Sequence, residues 1–386
     1  MTPPSILFVI TRSDAIGGAH IHVRDMASAL RQLGVDARVA VGGDGPYLEQ
    51  LQARQIPVIR LHHLVRPIRP LAELRAYREL LGVLREHRPV LVSTHSSKAG
   101  LLGRMACRRL KLPVVFTAHG WAFTDGVSAF TATIYRNAEK FAGPMANRII
   151  TVSEFDRRIA LKADVGQAEK LRAVHNGMPA LQAPALPARA AESPLRLVMT
   201  ARLDEQKDHR TLLLALGMLR DVDWCLDLIG DGPLLSTLRQ LAEQLQIADR
   251  IRFLGLRNDV AELLSRSDVF LLVSNWEGFP RSILEGMRAG LPVIATDVAG
   301  VSESVAEGRT GFLVPRSNAE VLANRIRQLL TDATLRASMG QAGRERFEQE
   351  FTFAQMFQRT LAVYDEVMVE RGLATRFLSL LGQSPS

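Results

Sequence analysis

Short runs of β-branched and aromatic residues alternate with longer segments of helical periodicity along almost the whole chain, and this alternation constrains the fold more than any other feature. Strands separated by helices come back parallel, because only a crossover of a dozen or more residues can return the chain to the same sheet edge. In the first half the strand candidates are 5–11, 36–41, 57–61, 90–95, 114–118, 148–152 and 171–175, with helices expected over 19–33, 71–87, 99–110, 129–146 and 154–163. The pattern pauses at 179–194, a stretch rich in Pro and Ala that suits neither element and reads as a linker. It restarts at 195–201 and continues with strands at 224–229, 250–254, 269–273, 292–296 and 311–314, then helical sequence from Ala319 onward. The expectation is an α/β protein of two doubly wound, Rossmann-like domains, 1–178 and 195–352. A closing helix and tail, 353–386, returns toward the first domain, and Phe351, Phe353, Phe357 and Leu361 offer it apolar contacts. Ligands of open parallel sheets bind beyond the carboxyl ends of the strands, so two such domains facing one another would frame a cleft lined by βα loops.

Composition excludes several classes. At 386 residues, 47% hydrophobic and 23% charged, the chain is globular in make-up and has the length of two or three domains. Its longest stretch without Asp, Glu, Lys or Arg, 173–188, is broken by Pro179, Pro184 and Pro187, whereas a bilayer span needs about 20 apolar residues. The apolar run 6–10 has neither a basic stretch before it nor a small-residue cleavage site after it, and reads as a strand rather than a signal peptide. Cys107 and Cys225, far apart and in apolar surroundings, suit a reducing cytosol.

Charge is lopsided. Residues 1–195 carry 26 Lys and Arg against 15 Asp and Glu, while residues 196–386 carry 22 against 25. Within the basic half, residues 54–111 hold 13 basic and 3 acidic side chains, among them Arg66, Arg69, Arg75, Arg78, Arg104, Arg108 and Arg109. Such a cluster suits an anionic partner: a membrane surface, a phosphorylated lipid or nucleic acid. The plainer alternative is a solvated helix face.

Four loops carry the candidate chemistry, each just after an expected strand. Gly17 and Gly18 follow the first strand and precede a helix whose N-terminal amides could meet an anion, although the spacing is not that of the dinucleotide fingerprint. The strongest string runs from Trp276 to Thr296. Pro280 is a natural first-turn residue, which leaves Glu277 on the loop and sets Glu285 about one turn inside the helix. Amides around Ser282, Ile283 and Leu284 would point at a diphosphate, Glu285 could accept from both hydroxyls of a ribose, and Glu277, further out, could grip sugar hydroxyls. Arg202 and Lys207, in the loop after strand 195–201, would supply cations to a phosphate leaving group. Gly230-Asp-Gly-Pro233 is a strand-to-helix turn, and Asp221-Val-Asp223, which precedes a strand, reads as a turn rather than a metal-binding pair.

Together, the Glu277-to-Glu285 string, Arg202 with Lys207, Gly230-Asp-Gly-Pro233 and Gly17-Gly18 resemble the retaining nucleotide-sugar glycosyltransferases of family 4, which share the two-domain GT-B fold. The resemblance implies a nucleotide-sugar donor as co-substrate, usually a UDP-sugar, held mainly by the second domain, with the acceptor held by the first and no further cofactor or metal. It assigns the diphosphate to Arg202 and Lys207, the ribose to Glu285 and the transferred sugar to Glu277. Gly17, Gly18, Gly278, Phe279, Pro280, Ser282, Ile283 and Leu284 complete the donor site. His119, in Thr117-Ala-His-Gly120, matches the histidine near the donor's anomeric centre. Ala201, Asp208 and Gly120 depart from the residues common in the family but leave the charged groups in place.

Neither a carboxylate pair at nucleophile-and-acid spacing nor a metal-ligand cluster is visible, so leaving-group stabilisation has to carry the expected mechanism. For the acceptor, Ser96, Ser97 and Lys98 end a strand and open a helix inside the basic segment, where they could hold a phosphate; an ordinary N-cap is the alternative. A polyprenyl-diphosphate-linked sugar at the inner face of the cytoplasmic membrane fits both features and is similar to the acceptors of surface-polysaccharide transferases of this family. This places the protein in the cytoplasm, peripheral on that membrane. Two competing readings are a GT-B UDP-sugar epimerase without acceptor and a basic nucleic-acid binder. The second is disfavoured because aromatics make up only 6% of the chain and do not interleave with the basic residues as stacking platforms.

Overall fold

β1 (Ser5–Ile10) is buried at every position but its first, the signature of a parallel strand covered on both faces. Its sheet joins it to β2 (Asp36–Gly42), β3 (Val58–Leu61), β4 (Leu91–His95), β5 (Val114–Ala118), β6 (Arg148–Thr151) and β7 (Leu171–Ala173), all parallel, in the order β3-β2-β1-β4-β5-β6-β7. The crossovers are α1 (Gly18–Gln32), α2 (Pro46–Ala53), α3 (Pro70–His87), α4 (Ser97–Leu110), α5 (Ala129–Ala142) and α6 (Glu154–Lys162). A second sheet has the order β10-β9-β8-β11-β12-β13, from β8 (Leu195–Thr200), β9 (Trp224–Ile229), β10 (Ile251–Gly255), β11 (Val269–Leu272), β12 (Val293–Thr296) and β13 (Gly311–Val314). Its helices are α7 (His209–Gly217), α8 (Leu235–Gln244), α9 (Val260–Ser265), α10 (Arg281–Arg288), α11 (Val301–Ser304), α12 (Ala319–Thr331) and α13 (Ala333–Glu350). The computed structural model describes residues 4–65, 67, 69–124, 126–180 and 194–373. The expected linker over 181–193, the tail over 374–386 and Arg66 lie outside them.

Two compact units result, Met1–Asn176 with Ala354–Ser386 and Gly177–Phe353. The last helix, α14 (Phe353–Glu370), thus belongs with the first sheet. Arg148 on β6 binds Glu366 (2.9 Å) and Glu370, and Arg172 on β7 binds Glu366 (2.9 Å). In the first unit, Leu80, Leu84, Val92, Leu102 and Cys107 form one core layer, and Phe116, Trp121, Ile149 and Ala160 another.

Strand order reverses between β1 and β4 in one unit and between β8 and β11 in the other. These switch points open the crevices in which α/β sheets hold ligands, and the loops after all four strands carry candidate residues. Elsewhere the differences from expectation are local. The helix α2 is missed by periodicity because it is only eight residues long, although Gly45-Pro46 is a proper start and Tyr47 and Leu51 are buried one turn apart. α5 stops at Ala142, before Pro144, which cannot continue a helix. Pro280 precedes α10 instead of opening its first turn. Asp221 lies before β9 and pairs with Arg327 on the surface. Cys107 is buried and Cys225 half-buried, and neither forms a disulfide among the described residues. Among the described residues no helix is long and apolar enough to cross a membrane.

Candidate active site

In the second unit the loops after β8 and β11 are stitched together by backbone. Asp208 donates to the Val273 carbonyl (3.0 Å) and Asn275 to that of Gln206 (2.8 Å). This joins Lys207 to Glu277: the ammonium contacts the carboxylate, and Ser274 Oγ donates to Glu277 Oε1 at 2.7 Å. Glu277, expected further out, is therefore inside the loop, its side chain only 6% exposed. Asp208 caps α7 through the Thr211 amide (3.1 Å), and buried His209 bonds the Lys207 carbonyl through Nδ1 (2.9 Å). Burial lowers the pKa of His209 to about 4, so a neutral imidazole holds the backbone of Lys207. Arg202 differs, with a side chain 76% exposed whose one ion pair among the described residues is with Asp204 at 3.4 Å.

The strand-to-helix turn Gly230-Asp-Gly-Pro233 supports this loop. Gly230 has φ +140°, and a Cβ there would lie 2.0 Å from the Ala201 carbonyl oxygen, so only glycine lets the Arg202 segment approach so closely.

α10 supplies a helix N-terminus just after the β11 loop. Gly278, Phe279 and Pro280 lead into it, with Phe279 buried against Phe351 at 5.5 Å between ring centroids. Ile283 and Leu284 are fully buried, while the first-turn amides, including that of Ser282, have no partner within the helix. One turn in, Glu285 carries a buried Oε2 with no hydrogen-bond partner among the described residues. Burial raises its pKa, and Arg281 and Arg288 act against the rise. A buried acceptor one turn behind a helix N-terminus is the arrangement that a ligand with hydroxyls next to an anion would complete.

In the first unit, a cavity of about 530 Å³ opens at the β1/β4 switch point, lined on its polar side by Thr11, Arg12, His20, Ser96, Ser97 and Lys98 and on its apolar side by Leu101, Leu102 and Ile134. The fold thus brings the three expected acceptor residues together. Ser96 sits at φ +69°, a region disfavoured for serine, and its hydroxyl bonds Thr11 Oγ1 at 2.6 Å. Thr11, not Ser96, caps α4, accepting from the Ala99 amide at 3.2 Å. Lys98 departs from the expected free cation. Its ammonium already serves the Val65 (2.6 Å) and Pro67 (2.8 Å) carbonyls and Glu73 (2.6 Å), three partners for three N–H bonds. Gly17 and Gly18 open α1 without lining the cavity, and the Gly17 amide donates to His20 Nδ1 at 3.3 Å.

Arg104 corrects the sequence reading outright. Counted there with surface cations, it is fully buried, bonds the Gly100 carbonyl (2.8 Å) and Glu139 (2.6 Å), and lies 4.1 Å above the Phe116 ring. Burial lowers its pKa and raises that of Glu139, each opposed by the other's charge. Of the basic cluster, Arg69, Arg75, Arg78, Arg108 and Arg109 are exposed.

His119 follows β5, half-buried, and its Nε2 lies 3.0 Å from Nδ1 of fully buried His95. The His22 ring of α1 is 5.0 Å from that of His119, so three histidines from separate segments place nitrogens within 4.8 Å of one another. Sequence spacing showed no such cluster, because residues so far apart meet only through the sheet order.

A family model described as glycosyl transferases group 1 matches residues 187–346, and one described as a glycosyl transferase 4-like domain matches residues 17–177. The chain is 30% identical over 314 residues to the N-acetyl-alpha-D-glucosaminyl L-malate synthase of Bacillus anthracis, covering 76% of this chain and 77% of that protein. It is 28% identical over 323 residues to the Escherichia coli UDP-Gal:alpha-D-GlcNAc-diphosphoundecaprenol alpha-1,3-galactosyltransferase, covering 80% and 83%. Among solved structures, Anabaena HepE, crystallised with UDP and glucose, shares the fold at a TM-score of 0.80 and 24% identity over 93% of this chain and 99% of that one.

Proposed function

The chain belongs to the family 4 (group 1) glycosyltransferases of the GT-B fold and is a glycosyltransferase of polysaccharide biosynthesis; from that premise we propose that it moves a hexose or N-acetylhexosamine from a UDP-sugar to a hydroxyl of a lipid-diphosphate-linked saccharide, with retention at the anomeric carbon. The observation that carries the donor assignment is the unpartnered, buried Glu285 Oε2 one turn inside α10. A carboxylate so close to amides suited to a diphosphate needs donors of its own, and ribose hydroxyls supply them. In this reading Arg202, Lys207 and the first-turn amides at Ser282 to Leu284 take up charge developing on the departing diphosphate. Glu277 keeps the Lys207 ammonium in place and offers its second oxygen to the transferred sugar. The acceptor hydroxyl attacks on the face that the diphosphate leaves.

The first-unit cavity supports a lipid-linked acceptor. Its wall includes Ile134, which also stands half-exposed on α5 in line with exposed Phe130 and Phe141. That apolar stripe and the exposed Arg69, Arg75, Arg78, Arg108 and Arg109 match the two components of an anionic membrane surface. The similar E. coli enzyme is named for a diphosphoundecaprenol-linked acceptor.

Titration calorimetry with UDP-hexoses, UDP-N-acetylhexosamines and GDP-mannose tests the donor. Heat is expected with a UDP-sugar and is expected to disappear in Glu285→Leu; silence with every nucleotide would overturn the proposal. UDP should then be released only when a lipid-diphosphate saccharide is added, whereas sugar conversion without acceptor would favour the epimerase reading. Flotation with anionic vesicles checks the membrane component. Changing the five exposed arginines to glutamine should lower bound protein more than about tenfold at low salt, each cation contributing about 1 kcal/mol near an anionic surface.

A further inference from the structure

The polar residues around the cavity at the β1/β4 switch point have already spent their hydrogen bonds on one another. Lys98 gives its three N–H bonds to the Val65 and Pro67 carbonyls and to Glu73. Thr11 and Ser96 bond each other at 2.6 Å, and Thr11 also accepts from the Ala99 amide at 3.2 Å. His20 accepts from the Gly17 amide through Nδ1 (3.3 Å) and donates from Nε2 to the Arg12 carbonyl (2.9 Å), so both ring nitrogens are in use. Arg12 pairs with Asp14, and Glu139 with Arg104. Ser97 and Tyr135 add one hydroxyl each to the wall. A polar ligand would have to break several of these bonds before making its own, whereas an apolar one meets Ile10, Leu101, Leu102, Ile134 and Ala138 directly. At about 530 Å³ the space has the size of a small-molecule site.

Around the mouth the surface is apolar as well. The loop after β1 and the first turns of α3 and α5 set Ile16, Leu71, Leu74, Phe130 and Ile134 in solvent, Leu71 at 73% exposure and Phe130 at 77%. Ile16 lies between Arg12 and Ala19 of the cavity wall, Leu71 and Leu74 stand on either side of Glu73, and Phe130 is one turn before Ile134. Exposed Arg69, Arg75 and Arg78 share the turns of Leu71 and Leu74. An apolar patch edged by cations and continuous with an apolar cavity suits an amphiphile with a negative head. We infer that the cavity is a subsite for the hydrocarbon chain of the lipid-linked acceptor, which enters between α3 and α5 and leaves its diphosphate at the mouth, and that Lys98 is a strut of the wall and not a phosphate ligand. The identity of the occupant rests on the proposed function: a chain held where a parallel sheet binds its substrates belongs to the substrate and not to a bilayer lipid.

Titration calorimetry with soluble prenyl diphosphates, below the concentrations at which they form micelles, tests the subsite. Dimethylallyl, geranyl and farnesyl diphosphate are expected to bind in rising order, with a gain of about tenfold from the first to the second, and inorganic pyrophosphate to give no heat. Ala138→Phe and Leu101→Trp fill the cavity from α5 and from α4. Each should weaken farnesyl diphosphate by about tenfold or more while leaving the melting temperature and the heat with a UDP-sugar as they were, and the two walls keep the test decisive if one variant fails to fold. Equal affinity for pyrophosphate and farnesyl diphosphate, or a chain-length series that survives both substitutions, would overturn the subsite. Displacement of farnesyl diphosphate by equimolar dihexanoyl phosphatidylglycerol would give the cavity to a bilayer lipid and overturn it too. Heat with a UDP-sugar but with no prenyl diphosphate would remove the chain subsite and leave the donor reading standing; prenyl binding without UDP-sugar heat would do the reverse.

Discussion

Lys207→Ala is expected to lower the turnover of sugar transfer by about 10²–10³-fold, the loss typical of removing one preorganised charge-stabilising donor. The argument starts from where the ammonium sits. Its side chain is 13% exposed and its partner Glu277 6%, so the cation is held in a nearly dry loop where a fixed charge acts strongly on a developing anion. The single change also leaves Glu277 with Ser274 as its remaining partner, and an uncompensated buried charge destabilises by itself. Steady-state kinetics therefore need a control. In Lys207→Ala/Glu277→Gln the stray charge is gone, so the melting temperature should recover while turnover stays low. Arg202→Ala gives the complementary result: with a side chain 76% exposed it contributes little to stability, so turnover should fall with an unchanged melting curve. Near-normal turnover in both Arg202→Ala and Lys207→Ala would remove charge neutralisation from the mechanism.

Arg104→Ala should destabilise the protein by about 3–5 kcal/mol, the range for breaking a buried ion pair from one side. Its guanidinium is fully buried against Glu139 at 2.6 Å and the Phe116 ring at 4.1 Å, and removal strands the carboxylate beside the cavity. For a unit of this size the loss corresponds to a fall in melting temperature on the order of 10 °C, measurable by calorimetry. Arg104→Met/Glu139→Leu removes both charges and fills the space, and should regain most of the loss. Were Arg104 a surface cation, neither variant would move the melting temperature, and only vesicle binding would respond.

Much of the scaffold is legible in the sequence because parallel strands buried on both faces must be apolar throughout. Runs such as Leu195 to Thr200 and Val269 to Leu272 announce themselves in this way. The rear-unit residues are legible too, since Arg202, Lys207, Glu277 and Glu285 are close in sequence to strand ends, and the loop after a parallel strand is where ligands bind. What sequence could not reveal depends on long-range partners. Arg104 has the composition of a surface residue until α5 brings Glu139 to it. Lys98 looks free until Val65, Pro67 and Glu73 take its hydrogens. His22 and His95 carry no local signal, since their significance lies in the sheet order that sets them beside His119.

The return of α14 to the first sheet also bears on synthesis. Ser93, Arg148 and Arg172 wait for Tyr364, Glu366 and Glu370, which leave the ribosome only after the whole second unit has been made. At about 5–20 residues per second that delay is roughly 10–35 s. Through this interval a nascent chain holds an unfinished first unit with its guanidinium groups uncovered, so chaperone occupancy should be greatest there, and a stop codon just before α14 should be as damaging as one inside the second unit.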